Sequence, residues 1–170
     1  METIIQTHET KDWLNDYPHC HGYLLQGYKE AISDMTDNLL LDPRSSKNFH
    51  VLNDDFINTP AYFMGVNAQP EKRLLILSCL YVFPGFRGRK LSSHLLNTAK
   101  HMVQDKAAIQ VAIEEHKIDL LAPFYQKHDF QTTGTLRKNS IGKGYIDYFW
   151  SGKKIELIDG PTGTIIKPIN

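Results

Sequence analysis

Cysteine is scarce in this sequence, which has 170 residues and only two cysteines, Cys20 and Cys79. Two cysteines do not make a disulfide framework. An excess of either charge is also missing, because 19 Lys and Arg residues balance 19 Asp and Glu residues. This balance argues against nucleic-acid binding by bulk charge. A long apolar run is absent too, so no segment is predicted to span a bilayer.

The residues that are present are ordinary for a folded domain. Hydrophobic residues make up 41% of the chain and charged residues 22%, and this length fits one domain with a single core. The N-terminus lacks the pattern of a secretory signal. We therefore expect a cytoplasmic protein without a nucleic-acid or membrane partner, acting as a monomer or a homodimer.

Hydrophobic periodicity and turn residues predict the order of the elements. Strands are predicted at residues 3–7, 49–53, 60–67, 73–83, 108–113, 130–136 and 145–150. Helices are predicted at residues 23–35, 89–105 and 118–127, the last one interrupted or begun at Pro123. Loops and turns are predicted at residues 41–48, 68–71 and 138–144, with Gly142 and Gly144 supplying the last bends. This order indicates an α+β or α/β domain with one mixed sheet.

One segment, residues 80–96, carries the chemistry. A buried strand is predicted to end at Pro84-Gly85, and a helix is predicted to begin soon afterwards. The first turn of a helix leaves backbone N–H groups without intrahelical partners, and these groups and the helix dipole favour an anion. Cationic side chains, a glycine and a hydroxyl accompany them: Arg87, Gly88, Arg89, Lys90 and Ser92. The segment suits a pyrophosphate, although a solvated turn would explain the same residues. It is neither a Walker loop nor a dinucleotide fingerprint.

The segment resembles the acyl-CoA signature of the GCN5-related N-acetyltransferases (GNAT), Gln/Arg-x-x-Gly-x-Gly/Ala. Arg87 matches its first position, while Lys90 stands at the first glycine and Ser92 at the second small residue. A later element, Phe124-Tyr125-Gln126-Lys127-His128-Asp129-Phe130, is similar to the family's Phe-Tyr-x-x-x-Gly-Phe, with Asp129 in place of glycine. The resemblance covers residues 74–150.

The resemblance implies a twisted, mostly antiparallel mixed sheet flanked by helices. It implies a GNAT-like domain at residues 1–152, followed by a tail at residues 153–170 that is either an added strand or an arm. It also implies acetyl-CoA as the acyl donor, without a metal, and a small-molecule amine or a peptide as the acceptor. The implied cofactor-binding residues are Leu80, Tyr81, Val82, Arg87, Gly88, Arg89, Lys90, Leu91 and Ser92.

The implied mechanism is direct attack of the acceptor amine on the thioester in a ternary complex. The pantetheine would pair with backbone at residues 80–82, and Tyr125 would protonate the departing thiolate. A packing role for Tyr125 is the alternative. The base stays open between Glu114, Glu115, His116 and a chain of waters.

Two other functions compete with this one. A degenerate member of the family would bind acyl-CoA without turnover, as the departures at Lys90, Ser92 and Asp129 suggest. An unrelated α/β domain would bind another phosphate ligand. His19-Cys20-His21 does not predict a metal site, because adjacent side chains diverge and no further ligands show zinc spacing.

Overall fold

The computed structural model describes residues 5–8, 49–54, 59–82, 88, 90–140 and 142–170. Predictions that fall elsewhere lie outside these residues, among them the helix at residues 23–35 and the loop at residues 41–48. The chain divides into two compact units, residues 1–67 with 78–98 and residues 68–77 with 99–170. Seven of the strands form one mixed sheet, in which they lie in chain order except that the seventh strand lies before the sixth, and the last two strands form a separate two-stranded sheet.

The first unit contains an antiparallel meander. Strand β1 spans Ile5–His8, β2 spans Phe49–Asp54 and β3 spans Thr59–Gln69. β1 pairs with β2 and β2 pairs with β3, both antiparallel. The predicted strands at residues 49–53 and 60–67 are confirmed, and the first strand is confirmed from Ile5 onward.

Strand β4 (Leu74–Val82) and helix α1 (Leu91–Met102) belong partly to each unit. The turn expected at residues 68–71 is wrong in part, because β3 runs to Gln69 and the 3₁₀ turn covers Pro70–Lys72. Helix α1 ends three residues before the predicted Asp105. Its last turn tightens, because the Val103 N–H donates to the carbonyl of Lys100, and Gln104 has a φ of +49°.

The second unit holds the start of β4, the end of α1, the fifth strand and four later strands. Strand β5 (Ala108–Glu114) runs parallel to β4, and β7 (Gly144–Trp150) pairs antiparallel with β5. Alternating branched residues make β5 a core strand, with Ala108, Ile109, Val111 and Ile113 all buried. Strand β6 (Arg137–Lys138) pairs with the start of β7.

Helix α2 spans Ile118–Lys127 after a 3₁₀ turn at Glu115–Lys117. The predicted interruption at Pro123 is wrong, because the helix is continuous through that residue. Proline lacks an N–H, so its ring removes one bond to the carbonyl of Asp119 while the rest of the helix forms. The inward face of α2 carries Ala122 and Tyr125, both buried.

The strand expected at residues 130–136 is also wrong, since of these residues only Gln131 forms a bridge, with Phe149. After Gln131 a side-chain hydroxyl, and not a neighbouring strand, bonds to the backbone groups. The Thr132 hydroxyl donates to the Asp147 carbonyl at 2.7 Å and accepts the Gly134 N–H at 3.0 Å. Such local bonds compete with a strand ladder.

The end of the chain forms an antiparallel hairpin of β8 (Ile155–Asp159) and β9 (Thr164–Pro168). Of the two glycines expected to make the bends before β7, Gly142 has a φ of +81°, whereas Gly144 is already the first residue of β7.

Candidate functional site

The predicted site residues belong to both units of the chain. Gly88 to Ser92 and the end of β4 lie in the first unit, and Tyr125 and the acidic turn after β5 lie in the second. Arg87 and Arg89 lie outside the described residues.

The turn before α1 has a left-handed backbone. Gly88 has a φ of +83° and Lys90 has a φ of +58°. The Lys90 carbonyl accepts the first bond of the helix, from the N–H of His94 at 3.3 Å. Lys90 is therefore the residue at which the chain enters the helix, and the backbone N–H groups of Leu91 and Ser92 have no acceptor within it.

The start of α1 suits an anion. Its first turn contains no acidic residue. Lys90 is exposed, and Leu91 and Ser92 are partly exposed. A Cβ atom added at Gly88 would meet no atom of the described residues within 4 Å, so these residues leave space beside this backbone. A helix N-terminus with a cationic side chain and free space can hold a phosphate group.

The predicted pantetheine segment, Leu80 to Val82, lies in the last three residues of β4. The parallel ladder that the structure describes between β4 and β5 runs from Leu74↔Ala108 to Ile76↔Gln110. The segment thus follows the last of these pairs along the strand. Backbone groups that no neighbouring strand pairs can accept a ligand's amide groups.

Tyr125 is held firmly on α2. Its side chain is 6% exposed. Its ring contacts Phe130 edge-on, with centroids 5.2 Å apart, and lies at the same separation from the ring of Phe124. Its carbonyl accepts N–H groups from His128 and Phe130, both at 3.0 Å. Packing and capping together fix the position of the phenol.

The three candidate bases are the last residue of β5 and two residues of the 3₁₀ turn that follows it. Glu114 is buried at the strand end, and its Oε2 lies 3.4 Å from His116 Nε2, while its Oε1 lies 3.8 Å from Lys117 Nζ. Lys117 gives this buried carboxylate a cationic neighbour. His116 is 57% exposed in its side chain, and Glu115 is exposed. A cavity of about 200 Å³ is lined by Glu114, Glu115, His116, Lys143 and Gly144. An accessible imidazole beside a buried carboxylate can take up a proton.

Asp147 is a buried acid that the sequence reasoning missed. It is 8% exposed in the middle of β7, opposite Ala112 of β5. Burial raises the pKa of its carboxyl, while a hydrogen bond with Gln110 and the charge of Arg137 lower it. Its Oδ1 has no hydrogen-bond partner in the part of the chain that the structure describes. The signal was present, since it is the one acid in an otherwise aromatic and apolar strand.

Neither a metal cluster nor a spanning helix is found in the described ranges. No group of three or more His, Cys, Asp and Glu side chains there is arranged to hold a metal ion. No helix among those residues combines the length and apolarity needed to cross a membrane.

Solved structures share this fold at low sequence identity. The ribosomal-protein-S18-alanine N-acetyltransferase of Escherichia coli is 15% identical, with a TM-score of 0.62 over 88% of this chain and 94% of that one. An N-acetyltransferase of Thermoplasma acidophilum in complex with coenzyme A is 12% identical, with a TM-score of 0.58 over 88% and 100%. An aminoglycoside 6'-N-acetyltransferase complexed with coenzyme A is 15% identical, with a TM-score of 0.61 over 87% and 96%.

The sequence itself decides the family. No curated protein matches it. The family model of the acetyltransferase (GNAT) domain matches residues 45–132, more than half of the 170 residues, and this range includes both motifs. The fold expected from the resemblance, a mixed sheet flanked by helices, is confirmed. The chain therefore belongs to the GNAT acetyltransferase family and is an acyltransferase.

Proposed function

We propose that this chain is an N-acetyltransferase that takes an acetyl group from acetyl-CoA and delivers it to a primary amine of a small molecule or a peptide. The observation that carries the proposal is the backbone of Lys90. This residue stands where the acyl-CoA signature has its first glycine, and its φ of +58° is one that glycine adopts readily. This positive φ supports the match of Lys90 to the glycine of the signature.

The pyrophosphate of acetyl-CoA binds at the start of α1 in this proposal. The N–H groups of Leu91 and Ser92 donate to it, and Lys90 and the predicted Arg87 and Arg89 supply positive charge. The absence of an acid in the first helical turn supports this assignment. Gly88 lets the ligand come close to the backbone, because the space beside its Cα is open.

The pantetheine arm pairs with the backbone of Leu80, Tyr81 and Val82. The position of this segment supports pantetheine binding, because it follows the last described pair between β4 and β5, Ile76↔Gln110. Amide groups of the arm then replace strand-to-strand bonds. An N–H of the same segment polarises the thioester carbonyl for attack.

The acceptor amine attacks the thioester directly, so the C–N bond forms as the C–S bond breaks and the thiolate leaves. The proton lost by the amine passes to Glu114, Glu115, His116 or a chain of waters. Tyr125 donates its phenolic proton to that thiolate, which a phenol with a reference pKa near ~10 can do at neutral pH. The close packing of its ring supports this role, because an acid catalyst must be held in one position.

The solved relatives point to acetyl-CoA but not to one acceptor. Two of the three structures hold coenzyme A. By their names, one of the three enzymes acts on a ribosomal protein and another on an aminoglycoside. Both a peptide and a small amine therefore stay open for this chain.

The alternative function is a degenerate acyl-CoA-binding module. The departures that suggest it are at Lys90, Ser92 and Asp129. Lys90 and Asp129 keep positive φ values, and Tyr125 is retained in a packed position, which favours turnover.

Calorimetric titration with acetyl-CoA tests the cofactor assignment. Gly88→Val should abolish binding, because a branched side chain fills the open space and opposes the left-handed backbone. Arg87→Ala should weaken binding by ~1–3 kcal/mol, the scale of a charge-assisted hydrogen bond. Gly142→Val is the matched control, since Gly142 has nearly the same φ and equally open surroundings far along the chain. Wild-type affinity in both loop variants would refute the assignment.

A further inference from the structure

A second, larger cavity lies at the other end of α1. Its volume is about 530 Å³, within the ~300–1,000 Å³ range typical of small-molecule sites. It lies wholly in the second unit. The lining comes from the start of β4, the connection between α1 and β5, the end of β7 and the terminal hairpin. None of the residues assigned above to acetyl-CoA or to proton transfer lines it.

The cavity is strongly cationic. Four of its lining side chains carry a positive charge, and Asp105 alone carries a negative one. The four are Arg73, Lys100, Lys106 and Lys153. The carboxylate of Asp105 points largely to solvent, with 92% of its side chain exposed, and lies 3.9 Å from Lys106. It therefore offsets little of the charge, because exposed ion pairs are weak.

Two of the four cations bond to neutral backbone groups. Lys100 Nζ donates to the carbonyl of His128 at 2.8 Å, and Arg73 Nη2 donates to the carbonyl of Asp105 at 2.6 Å. Neither forms an ion pair with a carboxylate within the described ranges. Burial lowers the pKa of the Lys100 ammonium, while the charge of Asp129 raises it in part. The half-buried Lys100 and the exposed Arg73 thus keep positive charge available for an anion.

The rest of the lining is apolar and aromatic. Lys100 Nζ lies 5.0 Å from the centre of the Trp150 ring, so charge and ring surface stand side by side. Val103 and Ile155 are buried at 6% and 8% exposure, and Ile166 and Pro168 complete this part. A ligand in this cavity therefore contacts both cationic side chains and an apolar, aromatic surface.

We infer that this cavity is a binding site for a small organic anion, with carboxylate or phosphate groups on an apolar body, separate from the acetyl-CoA site. The acidic groups contact Lys100 and its cationic neighbours, and the apolar body covers Trp150 and the hairpin. The site does not depend on the proposed transfer reaction, so it stands or falls on its own binding measurement.

Calorimetry with three probes tests the inference on the full chain. Phenyl phosphate and phenylacetate carry the two anionic groups on one apolar body, and phenylacetamide is the uncharged counterpart. Both anions, or one of them, should bind saturably, and the amide should not. A response to only one anion would identify the ligand class. Saturating acetyl-CoA is added in a second series, so that binding at the start of α1 can be recognised by competition.

Variants then locate the bound anion. Lys100→Gln should weaken binding by about tenfold, as expected for one charge-assisted contact. Lys153→Gln removes an exposed cation, so folding should be unchanged while binding weakens several-fold. Lys138→Gln, an exposed lysine outside the cavity, should leave it unchanged. Failure of both anions to bind, equal binding of the amide, or wild-type affinity in both cavity variants would overturn the inference.

Discussion

Lys90 and Asp129 share one backbone conformation, with φ values of +58° and +68°. They occupy two positions at which the motifs of the GNAT family have glycine, one before α1 and one after α2. A left-handed φ is costly for most residues, and aspartate tolerates it better than lysine. The departures therefore alter side chains while the turns keep the shape that glycine would give them.

Restoring glycine at Lys90 should stabilise the protein. Relief of the left-handed strain, ~1–2 kcal/mol, exceeds the ~0.5–1 kcal/mol of extra chain entropy that glycine brings to the unfolded state. We expect Lys90→Gly to raise the free energy of unfolding by about 0.5–1 kcal/mol in urea titrations. Lys90→Ala, which removes the same charge but keeps a Cβ atom, should give no such gain. An equal gain in both variants would show that charge, and not backbone conformation, is responsible.

Removing the hydroxyl of Tyr125 should affect turnover far more than cofactor binding. In Tyr125→Phe the ring still packs against Phe130, so acetyl-CoA affinity and folding should change little. General acid catalysis contributes ~10²–10⁴-fold, and a loss near ~10² is expected because a thiolate is a fair leaving group. The comparison is kcat against the calorimetric Kd, with an acceptor for which chemistry limits the rate. Wild-type turnover would make Tyr125 a packing residue.

The buried acid Asp147 should oppose folding at neutral pH. Burial raises the pKa of its carboxyl above the ordinary 3.8, so the native state binds the proton more tightly than the unfolded state does. Its favourable contribution is complete below 3.8 and is lost as pH rises through the raised pKa. Asp147→Asn cannot ionise, so it should be more stable than the wild type at neutral pH, and the difference should shrink as pH falls through the raised pKa and level off below 3.8.

Asp159 provides the control of opposite sign. Hydrogen bonds from Thr135 and Thr133 are the main causes that lower the pKa of its carboxyl below 3.8. Its contribution is present above 3.8 and is lost as pH falls through the lowered pKa. Asp159→Asn should therefore be less stable than the wild type at neutral pH. Urea unfolding of both variants across this pH range checks the signs, and a shift in the same direction at neutral pH would contradict the account.

The hydrophobic pattern of neighbouring residues was enough to predict the buried strands and the helix after the motif turn. The apolar run of β4, the spacing of Leu95 and Ala99 on α1, and the branched residues of β5 all mark elements that the structure contains. The strand at residues 130–136 failed because the Thr132 hydroxyl bonds to Asp147, fifteen positions along the chain. Such a partner cannot be read from the neighbouring residues.

The candidate site divides in the same way. The turn residues and Tyr125 stand in motifs with fixed spacing, so they could be predicted from the resemblance to the family. The cationic cavity joins Arg73, Lys100 and Lys153, which are distant in the sequence and come together only in the fold. Asp147 shows the same limit, since its burial depends on how β5 and β7 pair.

The most direct test of the proposed activity is transfer itself, measured on a panel of primary amines with acetyl-CoA as donor. The panel includes polyamines, aminoglycosides and peptides with a free N-terminus. Thiol release and mass spectrometry of the acceptor are followed together. The account predicts that at least one amine becomes acetylated in step with release of free coenzyme A, and that Gly88→Val abolishes both. Acetyl-CoA binding without transfer to any amine would contradict catalysis and favour the degenerate binding module.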